Sequence, residues 1–169
     1  MDELGDRQER DRRVGLREVN VFHRHHLADL VAGGPLREWL HRQHTGRPHL
    51  TWKFAASIDG RSAAADGTSQ WITSPQARAD GHAWRKRAGA LLTGVGTVLA
   101  DDPRLDVRLV TTVRQPARVV VDSALRTPPS ARLLDGPGPV WVATAAQEKA
   151  RVEALRARGA ELLSLPGPD

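Results

Sequence analysis

Apolar residues recur in short runs of strand length, and longer stretches with helical spacing lie between some of them. Five runs predict strands, at residues 49–57, 90–95, 118–123, 140–144 and 160–165. Two amphipathic stretches predict helices, one from Ser74 to about Ala88 and one from Gln147 to Arg158. Strands that alternate with helices predict an α/β layer structure whose sheet is largely parallel.

The pattern also predicts which side chains face the core. In the first strand one face carries Leu50, Trp52, Phe54 and Ala56, which indicates a buried strand. The first of these helices has Ser74 as its N-cap and Pro75 at its first helical position. Its expected inward residues are Ala77, Trp84 and Ala88, and another side carries Arg78, His82 and Arg85. In the second helix, Val152 and Leu155 are expected inside and Gly159 ends the helix.

The first fifty residues have a different character. Residues 1–26 are charged, contain glycine and lack a sustained period, which predicts a poorly structured arm. From Pro35 onward Leu36, Trp39 and Leu40 have helical spacing, and Gly46 with Pro48 ends the helix. We therefore divide the chain into a charged arm and linker (1–34), a helix and turn (35–48) and a main domain (49–169).

Composition excludes several classes of protein. A chain of 169 residues is long enough for one domain with a core, and it contains no cysteine, which excludes disulfides, thiol nucleophiles and cysteine-ligated zinc. The N-terminus lacks a continuous apolar segment, so neither a signal peptide nor a membrane span is predicted. We expect a soluble, cytoplasmic protein.

The charge is positive but does not favour a nucleic-acid partner. The net charge is +5, yet residues 1–18 alternate acidic with basic side chains and aromatic residues make up only 4% of the chain. An anionic small molecule explains a basic cleft equally well. His23, His25 and His26 lie in the arm without acidic or cysteine partners, so we expect no metal site there.

A glycine-containing turn is the first candidate for chemistry. Gly94, Val95, Gly96 and Thr97 directly follow an apolar strand, and glycines there let a ligand approach the backbone closely. The third glycine of the dinucleotide fingerprint and an acidic residue about 20 positions later are both missing, which disfavours a Rossmann dehydrogenase. Taken alone, the motif is equally typical of a tight strand-to-helix turn.

Four segments together are more specific: KFAASIDGR, SQWITSPQAR, TGVGTVLADDPRLDVR and RVVVDS. They resemble the reductase domain of the bifunctional riboflavin biosynthesis deaminase/reductase, which has a dihydrofolate-reductase-like fold. The resemblance implies NADPH-dependent reduction of 5-amino-6-(5-phosphoribosylamino)uracil to 5-amino-6-(5-phosphoribitylamino)uracil, by a homodimer. It makes residues 1–34 an arm with the remnant of a linker, and residues 35–48 a hinge. The zinc-binding signatures of the deaminase are absent from the sequence.

The resemblance also assigns residues to the two ligands. Those that it places against the nicotinamide cofactor are Ala55, Trp71, Thr97, Asp101 and Ser123, to which the glycine turn adds Gly94 and Gly96. Those that it places against the substrate are Ser69, Arg85, Leu105 and Arg108. Two guanidinium groups suit a sugar phosphate because each can form paired hydrogen bonds to it.

Two residues are candidates for the proton and charge chemistry. A lysine in an apolar strand is either an outward charge or a functional cation, so we hypothesise that Lys53 polarises the ring-opened sugar or fixes a substrate hydroxyl. Asp101 or water would then supply the proton. The Asp101-Asp102 pair is expected to form a turn with one carboxylate facing the ligand, rather than a catalytic carboxylate pair.

The resemblance implies more sequence than is present here. The family continues after the fifth strand with a Glu-Gly-Gly segment and a Val-Asp-Glu stretch, so residues 49–169 are expected to form a C-terminally truncated reductase domain with an incomplete sheet. An inactive remnant that only binds or associates is therefore one alternative. A pteridine or folate reductase of the same fold is another, against which Ser69, Arg85 and Arg108 favour a phosphorylated sugar.

Overall fold

The computed structural model describes Gly34 and residues 36–166 in two units, Met1–Lys53 and Phe54–Asp169. The described part of the first unit contains one helix, α1 (Arg37–Thr45). Gly46 ends it at φ 68° and donates its N–H to the carbonyl of Arg42, which confirms the predicted helix and stop. The predicted arm at residues 1–26 and its three histidines lie outside the described residues.

The second unit contains the sheet. Its elements are α2 (Pro75–Arg87), β1 (Ala90–Gly94), α3 (Val95–Asp101), β2 (Ala117–Val121), a 3-10 turn (Arg132–Leu134), β3 (Val140–Thr144), α4 (Lys149–Ala157) and β4 (Ala160–Ser164). All neighbouring strands pair in parallel, in the order β1-β2-β3-β4. The largely parallel sheet, four of the five predicted strands and both predicted helices of this unit are thus confirmed.

The core lies on one face of this sheet. Val120 of β2 and Val142 of β3 are fully buried there, together with Leu133 of the 3-10 turn, and Leu155 of α4 and Val98 of α3 pack into the same cluster. Parallel strands need long connections, and the segments between these strands supply the covering side chains. Leu155 was expected inside; Val152 packs against the core but is only partly buried.

The predicted strand at residues 49–57 is wrong. Residues 48–57 form no strand, and the side chains of Leu50, Trp52 and Phe54 are largely exposed, with 83% of Trp52 accessible. An extended segment becomes a strand only when a neighbour takes its backbone hydrogen bonds. The described sheet begins at β1 and ends at β4, and it contains no strand from this segment.

The predicted inward face of α2 is also wrong. Its one buried residue is His82, whereas Ala77 is exposed and Trp84 is 40% exposed. Ser74 does cap the helix, since its Oγ accepts the N–H of Ala77 at 3.2 Å. The apolar residues of this helix are too few to fix its orientation, which instead follows the polar contacts described below. No helix among residues 36–166 is long and apolar enough to cross a bilayer.

Candidate functional site

The carboxyl ends of β1 and β2 bring the predicted cofactor residues of the glycine turn together. Gly94 ends β1 and pairs with Val121, and Ser123 follows two residues later. Gly96 and Thr97 lie in the first turn of α3, exposed to solvent. A Cβ placed on Gly94 or Gly96 would meet no atom within 4 Å, so the space beside this turn is open. Ligands of open α/β sheets bind at this edge.

The turn that carries Ser123 is held by buried polar groups. The carbonyl of Ser123 accepts the N–H of Ala146 at 3.0 Å and the hydroxyl of Thr144 at 3.3 Å. Oδ2 of Asp122 accepts both the N–H and the hydroxyl of Thr127, at 2.6 and 2.7 Å. Its other oxygen, Oδ1, is buried and makes no hydrogen bond with the described residues. The Ser123 backbone is therefore fixed while its side chain is exposed.

The two neighbouring carboxylates at the end of α3 have different surroundings. Asp102 adopts a left-handed conformation, φ 40°, and its Oδ1 accepts the N–H of Arg132 at 2.8 Å. Asp101 is exposed and is the last residue of the helix. Asp102 therefore has a structural hydrogen bond, and the role of Asp101 toward cofactor and proton stays a prediction.

A second group forms where α2 meets the segment after α3. Arg85 of α2 donates from Nη1 to the backbone carbonyl of Asp106 at 3.1 Å, and Nη1 of Arg108 donates to Oδ1 of the same residue at 2.6 Å. Leu105 precedes Asp106 in the chain and has φ 51°, a backbone conformation that residues other than glycine rarely adopt. Three of the four predicted substrate residues are thus brought together around Asp106.

Sequence reasoning missed the residues that build this group. Arg104 donates from Nε to Oδ2 of Asp106 at 2.9 Å, and Nδ1 of His82 accepts the N–H of Arg108 at 3.2 Å. Gln115 pairs with both backbone groups of Val107, at 2.7 and 2.9 Å. Two signals were present in the sequence: the alternation of Arg104, Asp106 and Arg108, and the position of His82 on the same side of the predicted helix as Arg85. These contacts explain why His82 and Arg85 face inward on α2.

Burial and charge shift the ionisation of this group. Burial lowers the pKa of His82 and of Arg85, and the positive charge of Arg108 lowers both further. Burial acts to raise the pKa of Asp106, but the hydrogen bonds and charges of Arg104 and Arg108 outweigh it and hold that pKa below its usual value. At neutral pH the group therefore contains a neutral histidine and an ionised carboxylate.

The neutral histidine makes stability depend on pH. The pKa of His82 is lower in the folded chain than in the unfolded chain, so its contribution is complete above the unfolded value of about 6.5 and is lost as pH falls below it. Protonation also removes the acceptor for the Arg108 N–H. We expect the free energy of unfolding of the native chain to fall more between pH 7.5 and 5.5 than that of His82→Asn, whose amide oxygen can replace Nδ1. Urea titrations that gave the same fall in the free energy of unfolding for the native chain and for His82→Asn would contradict this.

The remaining predicted residues are not among the contacts that define these two groups. The ring of Trp71 is 67% exposed, and its contact is with the guanidinium of Arg78, 4.4 Å from the ring centroid. Ser69 is exposed in the loop before α2, and Ala55 is half-buried in the same unit. Lys53 is exposed and belongs to the first unit. The roles predicted for these four residues stay predictions.

Comparison with known proteins places this arrangement in a family. The family model for the RibD C-terminal domain matches residues 48–166. The riboflavin biosynthesis protein RibD of Mycobacterium tuberculosis H37Rv is 61% identical over 112 residues, which are 64% of this chain and 33% of that protein. The chain thus spans about a third of the length of this curated relative.

Two solved structures agree with the fold. Acinetobacter baumannii RibD, form 1, superposes with a TM-score of 0.70 at 36% identity, over 82% of this chain and 39% of that one. The Thermotoga maritima diaminohydroxyphosphoribosylaminopyrimidine deaminase/5-amino-6-(5-phosphoribosylamino)uracil reductase superposes with a TM-score of 0.61 at 26% identity, over 76% and 42%. The expected fold class, an α/β dihydrofolate-reductase-like fold with a mostly parallel sheet, is confirmed.

Proposed function

The chain belongs to the RibD C-terminal domain family, and from this premise we propose that it is the reductase of riboflavin biosynthesis. The reaction is NADPH-dependent reduction of 5-amino-6-(5-phosphoribosylamino)uracil to 5-amino-6-(5-phosphoribitylamino)uracil. The observation that carries this proposal is the convergence of Arg85 and Arg108 on Asp106. Guanidinium groups fixed near one another suit the phosphate of such a substrate.

The residues at the ends of β1 and β2 fit a nicotinamide cofactor. The open space beside Gly94 and Gly96 permits close approach to the backbone, and the exposed hydroxyls of Thr97 and Ser123 can bond to ribose or phosphate oxygens. When bound, NADPH supplies the hydride. The chain contributes orientation and hydrogen bonds, as proteins do for such cofactors.

With NADPH bound as hydride donor, the reduction would add the hydride to carbon C1 of the ring-opened sugar imine and a proton to the attached nitrogen. We propose that Lys53 polarises this group and that Asp101 or water donates the proton. Both side chains are exposed to solvent, so water or a ligand can reach them. Loss of turnover in Lys53→Met with unchanged NADPH affinity would support the assignment, and unchanged turnover would exclude it.

The same family membership supports a cytoplasmic location and a homodimer. Light scattering of the purified chain tests the second point, since a dimer has twice the mass of 18.5 kDa. If the chain were a monomer and still bound NADPH, cofactor binding would not depend on dimer formation.

Two other functions remain to be distinguished from this one. A chain that binds or associates without catalysis would hold a ligand but turn nothing over. A pteridine or folate reductase of the same fold would bind an unphosphorylated pterin as well as it binds the phosphorylated pyrimidine. The cluster around Asp106 favours the phosphorylated ligand, because it contains three arginines, two on the carboxylate and one on the backbone carbonyl, and a single acidic group.

Titration with NADPH is the first test. We expect saturable quenching of the fluorescence of the five tryptophans, with NADH as the control cofactor. Ser123→Ala should weaken NADPH binding by about threefold to tenfold, since it removes one hydrogen bond. Ser130→Ala, on an exposed loop, is the matched control. A folded chain that leaves NADPH unbound would overturn the proposal for this polypeptide.

A further inference from the structure

One buried carboxylate lies between two exposed guanidinium groups. Asp106 is only 7% exposed in its side chain, whereas Arg104 and Arg108 are 41% and 48% exposed. Its Oδ2 accepts from Arg104 and its Oδ1 accepts from Arg108. Each oxygen thus fixes one arginine, so one buried carboxylate holds two partly exposed guanidinium groups.

The backbone of this segment is fixed independently of the ion pairs. Gln115 bonds both backbone groups of Val107, and His82 accepts the N–H of Arg108. Arg85 donates to the carbonyl of Asp106 from the other side. Both arginines that flank Asp106 therefore project from a segment whose conformation is set before any ligand arrives, which lowers the entropy cost of binding.

The group has more positive than negative charge. Arg104 and Arg108 bond the carboxylate of Asp106 and Arg85 bonds its backbone carbonyl, so three guanidinium groups and one carboxylate leave the group with two positive charges in excess. Among the described residues, both Nη atoms of Arg104 and Nη2 of Arg108 make no hydrogen bond. Donors that remain available on two fixed, partly exposed cations are suited to a phosphate.

We propose that Arg104 is a further contact for the substrate phosphate and that Asp106 is the positioning residue that holds Arg104 and Arg108 as a two-guanidinium clamp. This inference rests on the proposed function, since it names the residues that would recognise the phosphoribosyl group. A structural ion-pair cluster would instead support the loop and be indifferent to phosphate.

Binding of ribose 5-phosphate to the full chain tests the clamp without cofactor or catalysis. Calorimetry should show Arg104→Gln binding ribose 5-phosphate about tenfold more weakly than the native chain, the size of one charge-assisted hydrogen bond. Ribose without phosphate should show no difference between the two. Arg156→Gln removes an exposed arginine from α4 and is the matched control for lost charge. Equal affinities of the native chain and Arg104→Gln would overturn the role of Arg104.

The positioning role of Asp106 has a distinct signature. Asp106→Asn should weaken ribose 5-phosphate binding about tenfold in the native background and have little effect when Arg104 and Arg108 are both glutamine. An equal loss in both backgrounds would overturn it. If the native chain bound NADPH but not ribose 5-phosphate, the clamp would be wrong and the cofactor proposal would stand. If it bound neither ligand, both the clamp and the cofactor proposal would be wrong.

Discussion

Replacing Arg118 by leucine is expected to lower the free energy of unfolding by about 3–5 kcal/mol. This strand arginine is 1% exposed, and its guanidinium donates to the backbone carbonyls of Leu133, Gly136 and Gly138. Leucine fills part of the volume but leaves three carbonyl groups without their donor, and each such loss costs about 1–3 kcal/mol. The connection from the 3-10 turn to β3 would then lose its anchor to β2.

Chemical denaturation measures this effect. Arg126→Leu replaces an exposed arginine of the same unit and should change stability by less than about 0.5 kcal/mol. Gly136→Ala is a second probe of this contact, because a Cβ on Gly136 would lie 2.5 Å from Nη1 of Arg118. An Arg118→Leu variant within about 1 kcal/mol of the native chain would show that water replaces the guanidinium at these carbonyls.

Arg118 illustrates what hydrophobic patterning can and cannot reveal. The run from residue 118 to 123 predicted a strand correctly because Val119, Val120 and Val121 suit a covered parallel strand. From the hydrophobic pattern alone, an arginine at the start of such a run is expected to be exposed to solvent. Its burial depends on carbonyl groups 15 to 20 residues later, in the 3-10 turn and the loop that follows it, and no local period encodes that contact.

The failed strand at residues 49–57 has a related cause. Alternating apolar residues indicate a segment that is suited to pairing, but pairing also requires a partner strand beside it. The four strands that do form all lie in one register-matched sheet in chain order, so each finds its partner in the next strand along the sequence. Residues 49–57 are also followed by a strand, β1, but in the described sheet β1 is an edge strand whose neighbour is β2.

The candidate site was predicted unevenly for a physical reason. Resemblance named Arg85, Leu105 and Arg108, and the structure brings them together. The resemblance did not name His82 or Asp106. These two residues form hydrogen bonds with the backbone and side chains of other residues of the chain. Such contacts depend on how α2 lies against the 104–108 segment. That arrangement is tertiary, so periodicity and motif spacing contain little information about it.

Replacing Asp122 by alanine is expected to cost about 3 kcal/mol of stability and to weaken NADPH binding. Its carboxylate accepts two hydrogen bonds from buried Thr127, and alanine would leave that N–H and hydroxyl without an acceptor. The turn that they close presents Ser123 at the carboxyl end of β2. Loosening it should therefore reduce cofactor affinity as well as stability.

Thr127→Val separates the two contributions of this turn. It removes the hydroxyl bond but keeps the N–H bond to Asp122, so it should cost about 1 kcal/mol and leave NADPH binding near the native value. Urea titration and tryptophan quenching would be measured on both variants at a temperature where each is folded. If Asp122→Ala lost stability yet bound NADPH like the native chain, the turn would contribute to stability but not to cofactor binding. Binding of NADPH would then not depend on a fixed backbone at Ser123.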